Sequence, residues 1–329
     1  MDANDIKLMD ALFKAFRTKF SQAMLDAQGR DGKHGLVLGE IAMTLLSNTA
    51  VEVHAWLNQL PSMREWITER VVNALTFGKI QVTNRDFENT VEVGVNDIED
   101  DKYGLFTPLI GAMGDACGRL PMELAVQTLT AQKPWADGFP FFAANRKFAA
   151  GQTAVITNAT TAAFSASAVE AAYEAMLSYM LAANAPAGVS PKYVLVGPSN
   201  YQKALRIFER ELIVDGAGTA SNTMKDILAV RTSPLLVGEH AGKWFVLGEK
   251  SGIKAVGIQE RKKPELVRKD KPTDDNVFWK NKIYYGAHAR YEGFGTLPFL
   301  AFGGGFASVP DATGGLPGVP PAPEPEPGS

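Results

Sequence analysis

One cysteine, Cys117, serves a chain of 329 residues, so no internal disulfide can form and the cystine-stapled secreted scaffolds are excluded. The usage suits a reducing cytoplasm. In the small-residue context "GAMGDACGRL" the thiol reads as a packed side chain. Histidine is nearly as scarce: His34, His54, His240 and His288 are the whole set, and none stands at metal-ligand spacing from another His or from the Cys. No run of 18 consecutive apolar residues is present, which argues against a membrane-spanning helix. The start "MDANDIKLMDALFKAF" has neither a basic opening nor an apolar core run, so a secretory signal is not expected. Positive charge is not in excess: 33 Lys and Arg face 36 Asp and Glu, net −3, which removes the general argument for a nucleic-acid binder. Residues 303–329 hold seven of the nineteen prolines and no Lys or Arg, and are expected to form a disordered tail.

Motifs for chemistry are equally thin. "GEHAGKW" (238–244) has three residues between its glycines where a phosphate loop needs four, and Trp244 where Ser or Thr must meet magnesium; it reads as a hairpin turn. "VGPSN" lacks the second glycine of a nucleophile elbow. No catalytic, cofactor or metal residue is assigned, and no enzymatic role is expected. A cytoplasmic hydrolase with an active site assembled from distant segments stays as the rival reading from another class.

What is present is an ordinary globular supply of core residues, 46% hydrophobic against 21% charged. Met9, Leu12, Phe13, Phe16, Phe20 and Met24 recur at spacings of three and four and predict an amphipathic helix over 5–27. "GEIAMTLL" and Ser62–Leu75 read as further helices, the latter opened by a Ser62–Glu65 capping box, with Trp56 and Trp66 as packing residues. A long helical segment covers about 103–132 and is expected to break or kink at Pro121. Ser167 and Glu170 cap a helix with an apolar stripe; "KYVLV" is a buried strand leading into a helix at 199–212 capped by Ser199 and Gln202. From 226 to 303 the chain reads mainly as strands. Segregated helices and strands argue an α+β fold.

The stretch "VTNRDFENTVEVGVNDIEDDKYG" poses the sharpest question. Ile80 and Val82, then Val91, Val93 and Val95, alternate with polar residues around the turn Asn84–Asp86, which predicts a β-hairpin over about 78–96. A lone two-stranded hairpin is marginal in water, so this one needs a surface, its own domain or a second copy. The acids that follow, Asp97, Glu99, Asp100 and Asp101, read either as the charged start of a helix or as a hard-cation site; the spacing does not fit a calcium loop. Lys79–Asp101 carries two basic and seven acidic residues, and Glu260–Lys271 six basic and three acidic. The two segments are therefore candidates to meet between neighbouring subunits, through Arg261, Lys262 and Lys263 on the basic side.

Six scattered segments become a pattern when set beside one another. "AWLNQLPSMREW", the 84–104 stretch, "DGFPFF", "RELIVDGAGTASNTMK", "QERKKPELV" and "DDNVFWKN" together resemble the Mu-like phage major head subunit family. The matching positions include Trp56, Pro61, Phe87, Glu88, Asp137, Phe141, Asp215, Gln259, Pro264 and Phe278. One departure is Asn145–Arg146, where relatives are expected to carry a histidine soon after the "DGFPFF" position.

The resemblance implies a Hong Kong 97-like capsid fold. Its parts would be an N-terminal arm region (1–75), an extended β-hairpin loop (76–101) and a spine helix (102–133). A peripheral-domain connection (134–163), a mainly axial domain (164–258), return strands to the peripheral domain (259–302) and the tail (303–329) would follow. It also implies a major capsid protein that assembles in the host cytoplasm, in hexamers and pentamers, into an icosahedral virion shell around double-stranded DNA held without sequence preference. Scaffolding protein, portal and maturation protease are the implied partners, a decoration protein is a further candidate, and no membrane is involved. Ile80, Val82, Phe87, Val91, Val93, Val95, Glu99, Asp100, Asp101, Arg261, Lys262 and Lys263 are the expected subunit-interface residues. An encapsulin-like compartment shell, with the same fold and an enzyme as cargo, is the nearest alternative.

Overall fold

The periodic residues at the start of the chain fold as α1 (Ala3–Ala27), in a computed structural model that describes residues 3–313 except 30–31, 50, 58–76, 100–103, 105, 149–153, 182–185, 216–217 and 272. Met9, Phe16 and Phe20 are buried on one side of it, as their spacing predicts. Next come α2 (Leu38–Ile41), β1 (Ala42–Leu46), β2 (Val51–Leu57), β3 (Phe77–Thr83), β4 (Arg85–Gly94), α3 (Val95–Glu99) and α4 (Phe106–Thr130). The helix expected over "GEIAMTLL" is thus a single turn followed by a strand. β1 lies parallel to a later strand, Ala42 opposite Val256, and that pairing overrides the local helical preference.

α4 runs through Pro121 as one helix, which removes the two-helix alternative. Proline removes one helical hydrogen bond. Burial of Pro121, Leu124, Ala125 and Leu129 on the same helix compensates. α1 docks on α4 along a track of glycines, 111, 114 and 118, that lets the two backbones come close.

The remaining elements are α5 (Ala166–Ser178), β5 (Ser190–Val196), α6 (Pro198–Phe208), β6 (Leu212–Asp215), β7 (Gly218–Ser221) and β8 (Ala229–Thr232), followed by β9 (Trp244–Lys250), β10 (Ile253–Lys254), β11 (Val256–Lys262) and β12 (Leu266–Lys269), and lastly α7 (Asp275–Lys280), β13 (Lys282–Gly295) and β14 (Ala301–Gly304). With β1 and β4 they build two five-stranded sheets, while β6 pairs only with β7. In the first, β13 is the spine: β4 pairs along one edge, β12 and β11 along the other, and β1 adds beyond β11. In the second, β9 joins β5, β10 and β14, and β8 pairs parallel to β5. One core, from Ile41, Leu129, Val256 and Ile258 to Val194, Trp244 and Phe302, runs through both. A smaller cluster of Phe16, Phe20, Val93, Ile283 and Tyr285 lies under α1.

Four local expectations need correction. β3 does not fold back on β4: β3 pairs with β2, Val51 opposite Thr83 to Leu57 opposite Phe77, while β4 pairs with β13. Only Asn84 separates β3 from β4, too little for a two-residue hairpin turn, and alternation specifies a face and not a partner strand. The cap of α5 is Ser165, whose side chain accepts from the Ala168 amide at 3.1 Å, not Ser167. α6 starts at Gly197–Pro198, and Ser199 Oγ instead donates to the Ala241 carbonyl at 2.8 Å. The expected disordered tail begins too early: Gly303 and Gly304 lie in β14, Phe306 and Ala312 are buried, and Ala144 bridges Asp311. Residues 314–329 and the Ser62–Glu65 box with Trp66 lie outside the described residues.

Candidate subunit-contact surface

The two-stranded ladder of β2 and β3 is, like that of β6 and β7, a sheet of two strands only. Among the described residues it has no third strand. Its root is a polar network. Gln259, fully buried on β11, donates to Asn84 Oδ1 at 2.9 Å and meets His54 Nε2 at 2.8 Å. The His54 ring stacks on Phe294, centroids 4.8 Å apart. Asn84 Nδ2 in turn donates to Ser47 Oγ and to the Thr49 carbonyl. Glu52 Oε1 accepts from the Asn48 and Thr49 amides at 2.9 and 3.2 Å. Those amides, Asn48 foremost, hold the Glu52 carboxyl below the usual carboxylate range. Alternation then places Glu52 and His54 toward the root while Val51 and Val53 stay exposed, Val53 at 56%.

Beside the root lies a groove of about 370 Å³ whose lining includes Ile80, Arg85, Lys133, Trp135 and Phe294. Glu292 at its floor is buried and is held by Arg85 and by Lys133, whose Nζ stands 2.5 Å from Oε1. An ion pair with both partners buried lies nearby, between Arg146 and Asp137. Arg146 reaches Asp137 Oδ2 at 2.6 Å and the Phe141 carbonyl at 2.9 Å, both buried, and the part-buried Pro140 carbonyl at 2.5 Å. Burial pushes the Arg146 pKa down, and the Asp137 carboxylate opposes that shift. The position where relatives were expected to carry histidine is here a structural arginine.

The expected interface residues divide. Val82, Val93 and Val95 are buried within the chain's own fold, and Ile80, Phe87 and Val91 pack half-buried against it. The apolar face of this stretch is therefore covered by its own domain. Asp97 stands in the first turn of α3, which fits a helix start, whereas Glu99 is the last residue of that helix. Asp100 and Asp101 lie outside the described residues. Arg261, Lys262 and Lys263 are exposed at the end of β11. Lys262 Nζ contacts His288 Nδ1 at 3.3 Å, and His288 Nε2 lies 3.1 Å from Asp86. Basic and acidic segments thus already meet across β13 inside one chain, and at the other end of β13 Lys282 pairs with Glu92. His54 and Gln259 as the arm's anchor were missed. Gln259 belongs to the "QERKKPELV" motif, but only the parallel β1–β11 pairing brings it to the root.

A five-stranded sheet packed against a long helix, sharing its core with a second sheet and carrying a separate two-stranded ladder, is an arrangement shared with phage capsid subunits of the Hong Kong 97-like fold. The subunit of the bacteriophage JBD30 procapsid superposes with a TM-score of 0.54 at 23% identity, covering 90% of this chain and 74% of that one. The family model described as Mu-like prophage major head subunit gpT matches residues 9–166, 148–237 and 229–304, and the chain belongs to that family. It is 25% identical to the major capsid protein of Escherichia phage Mu over 280 residues, 85% of this chain and 68% of that protein. To the Mu-like prophage FluMu major head subunit of Haemophilus influenzae it is 26% identical over 285 residues, 86% and 68%. The role defined by the family is a structural one, and neither the compartment-shell nor the hydrolase alternative is favoured.

Proposed function

We propose that copies of this chain assemble, as hexamers and pentamers, into an icosahedral phage head around double-stranded DNA, without catalysing a reaction. The observation that carries the reading is the head-subunit family match, which runs through both sheets and the arm root from residue 9 to residue 304. The geometry supports it. A two-stranded ladder is marginal by itself, and the exposed Val51 and Val53 edge of this one gains stability by lying on an adjacent subunit, at roughly 25 cal/mol per Å² of apolar area covered. The extended loop is then the β2–β3 ladder, α4 is the spine helix, the β13 sheet is the peripheral domain and the β9 sheet the axial one. Arg261, Lys262 and Lys263 face the neighbour's acidic strand. Assembly takes place in the bacterial cytoplasm with a scaffolding protein, a portal and a maturation protease, and DNA is held through its backbone without sequence preference.

Expression with and without the neighbouring scaffold gene, followed by light scattering and electron microscopy, tests this. Closed shells or rings of five and six are the expected result. A stable monomer under both conditions overturns it.

A further inference from the structure

Among the described residues, the large hydrophobic side chains left exposed include two aromatics, and they are adjacent: Phe278 at 69% and Trp279 at 76%. Their rings meet edge to face, centroids 4.9 Å apart. Both stand on α7, a helix too short to be stable by itself. The fold holds it rigidly. Buried Asn276 donates from Nδ2 to the carbonyls of Lys269 at 2.9 Å and Lys282 at 2.7 Å, clamping the ends of β12 and β13 together beneath the helix. Val277 packs into the cluster under α1. Asn281, at φ 52°, closes the helix in the left-handed conformation, and its side chain donates to Asn96 Oδ1 at 2.9 Å. A rigid mount presenting two aromatic rings to water is the composition of an interface anchor, since such residues dominate contact energies when covered and need little ordering.

The charges around the rings identify the occupant. Lys271 and Lys280 lie beside Asp274 and Asp275, two of each sign within ten residues. A partner of one charge sign would meet repulsion over half of this patch. A second copy, rotated about a symmetry axis, can set Lys280 against Asp275 with no like-charge penalty. We propose that Phe278 and Trp279 form a contact between copies of this chain, built on α7, separate from the β2–β3 arm. The proposal rests on the shell reading given above.

The test uses the full chain expressed with its scaffold. A Phe278→Ala/Trp279→Ala variant should keep the wild-type circular dichroism and melting temperature of the unassembled subunit, yet lose closed shells and stop at small oligomers. In parallel, p-benzoylphenylalanine in place of Phe278 should give on irradiation a covalent dimer whose cross-linked peptide comes from another copy of this chain. Shells at wild-type yield from the double variant overturn the proposal. So does a cross-link to a different protein, or none within shells. If the wild-type chain itself forms no shells, the head-subunit reading fails first and the proposal falls with it. If the double variant is unfolded, the cross-link decides.

Discussion

Gly114 of α4 faces the main-chain oxygen of Phe20 in α1 so closely that a methyl group at Gly114 would stand 2.3 Å from it. Gly118 stands in the same relation to the Met24 oxygen, again at 2.3 Å. The obstacle in both cases is backbone, which cannot rotate away. Helix propensity alone makes Gly→Ala favourable by about 1 kcal/mol. Here Gly114→Ala and Gly118→Ala should each destabilise the subunit by about 1–3 kcal/mol, as overpacked sites do. Urea denaturation of the unassembled chain measures this, with faster hydrogen exchange across α1. A stabilised Gly114→Ala variant would show that the two helices do not approach in this way.

Asp137 and Arg146 form an ion pair with both side chains fully buried. Removing one charge leaves the other stranded, so Asp137→Asn or Arg146→Met should each cost about 3–5 kcal/mol. Arg146→Lys should also fail, because one ammonium cannot serve a carboxylate and two carbonyls along fixed directions. The double replacement Asp137→Asn/Arg146→Met should cost less than the sum of the singles, and a thermal-melt double-mutant cycle reads the difference. Additive losses would mean that the two side chains are not energetically coupled.

The legible parts of this fold were those whose information is local. Met9, Phe16 and Phe20 marked the buried face of α1, and the alternation at Ile80–Val82 and Val91–Val93 marked strands and their inward faces, though Val95, read into the same strand, opens α3. The partners of those strands were not legible, because period two says which side of a strand is buried and nothing about its neighbour. That is why β3 and β4 read as one hairpin and form ladders with β2 and β13 instead. Ser167–Glu170 satisfied a capping pattern that Ser165, two residues earlier, takes over in space. Asp137 was visible as a motif residue, but the guanidinium that requires it is nine positions on, beyond any local signal. At the candidate surface the exposed Arg261–Lys263 run was legible as charge, while the His54–Gln259 anchor joins residues 205 apart.

Glu52 makes the arm root sensitive to acid. Its folded-state pKa is lowered, chiefly by the Asn48 amide and then by Thr49. A depressed carboxyl stabilises the folded root above its unfolded value near 4.5, and that contribution disappears as pH falls through the lower folded value. Hydrogen exchange at the Asn48 and Thr49 amides, corrected for the intrinsic pH dependence, should therefore lose protection below about pH 4.5 in the wild type. Glu52→Gln should show the reduced protection at neutral pH and no further step on acidification. An unchanged acid step in Glu52→Gln would assign the titration to another group.

The basic run at the end of β11 separates an assembly role from a folding role. Arg261, Lys262 and Lys263 are exposed, and their contacts in the chain are modest: Arg261 donates to the Ser47 carbonyl at 3.2 Å, Lys262 touches His288, and Lys263 lies 3.5 Å from Glu260. Surface pairs of this kind contribute little to stability. Reversal of all three to Glu should leave the melting temperature of the unassembled subunit within a few degrees of wild type, because exposed substitutions usually stay within about 0.5 kcal/mol each. Shell formation should fall sharply if these charges guide a neighbour's acidic strand into register, and raising the salt concentration should slow wild-type assembly in the same direction. The variant and the salt series test one field in two ways. Shells at wild-type rate from the charge-reversed chain, with a wild-type rate indifferent to salt, would confine these residues to the contacts they make with Ser47, Glu260 and His288 within one chain.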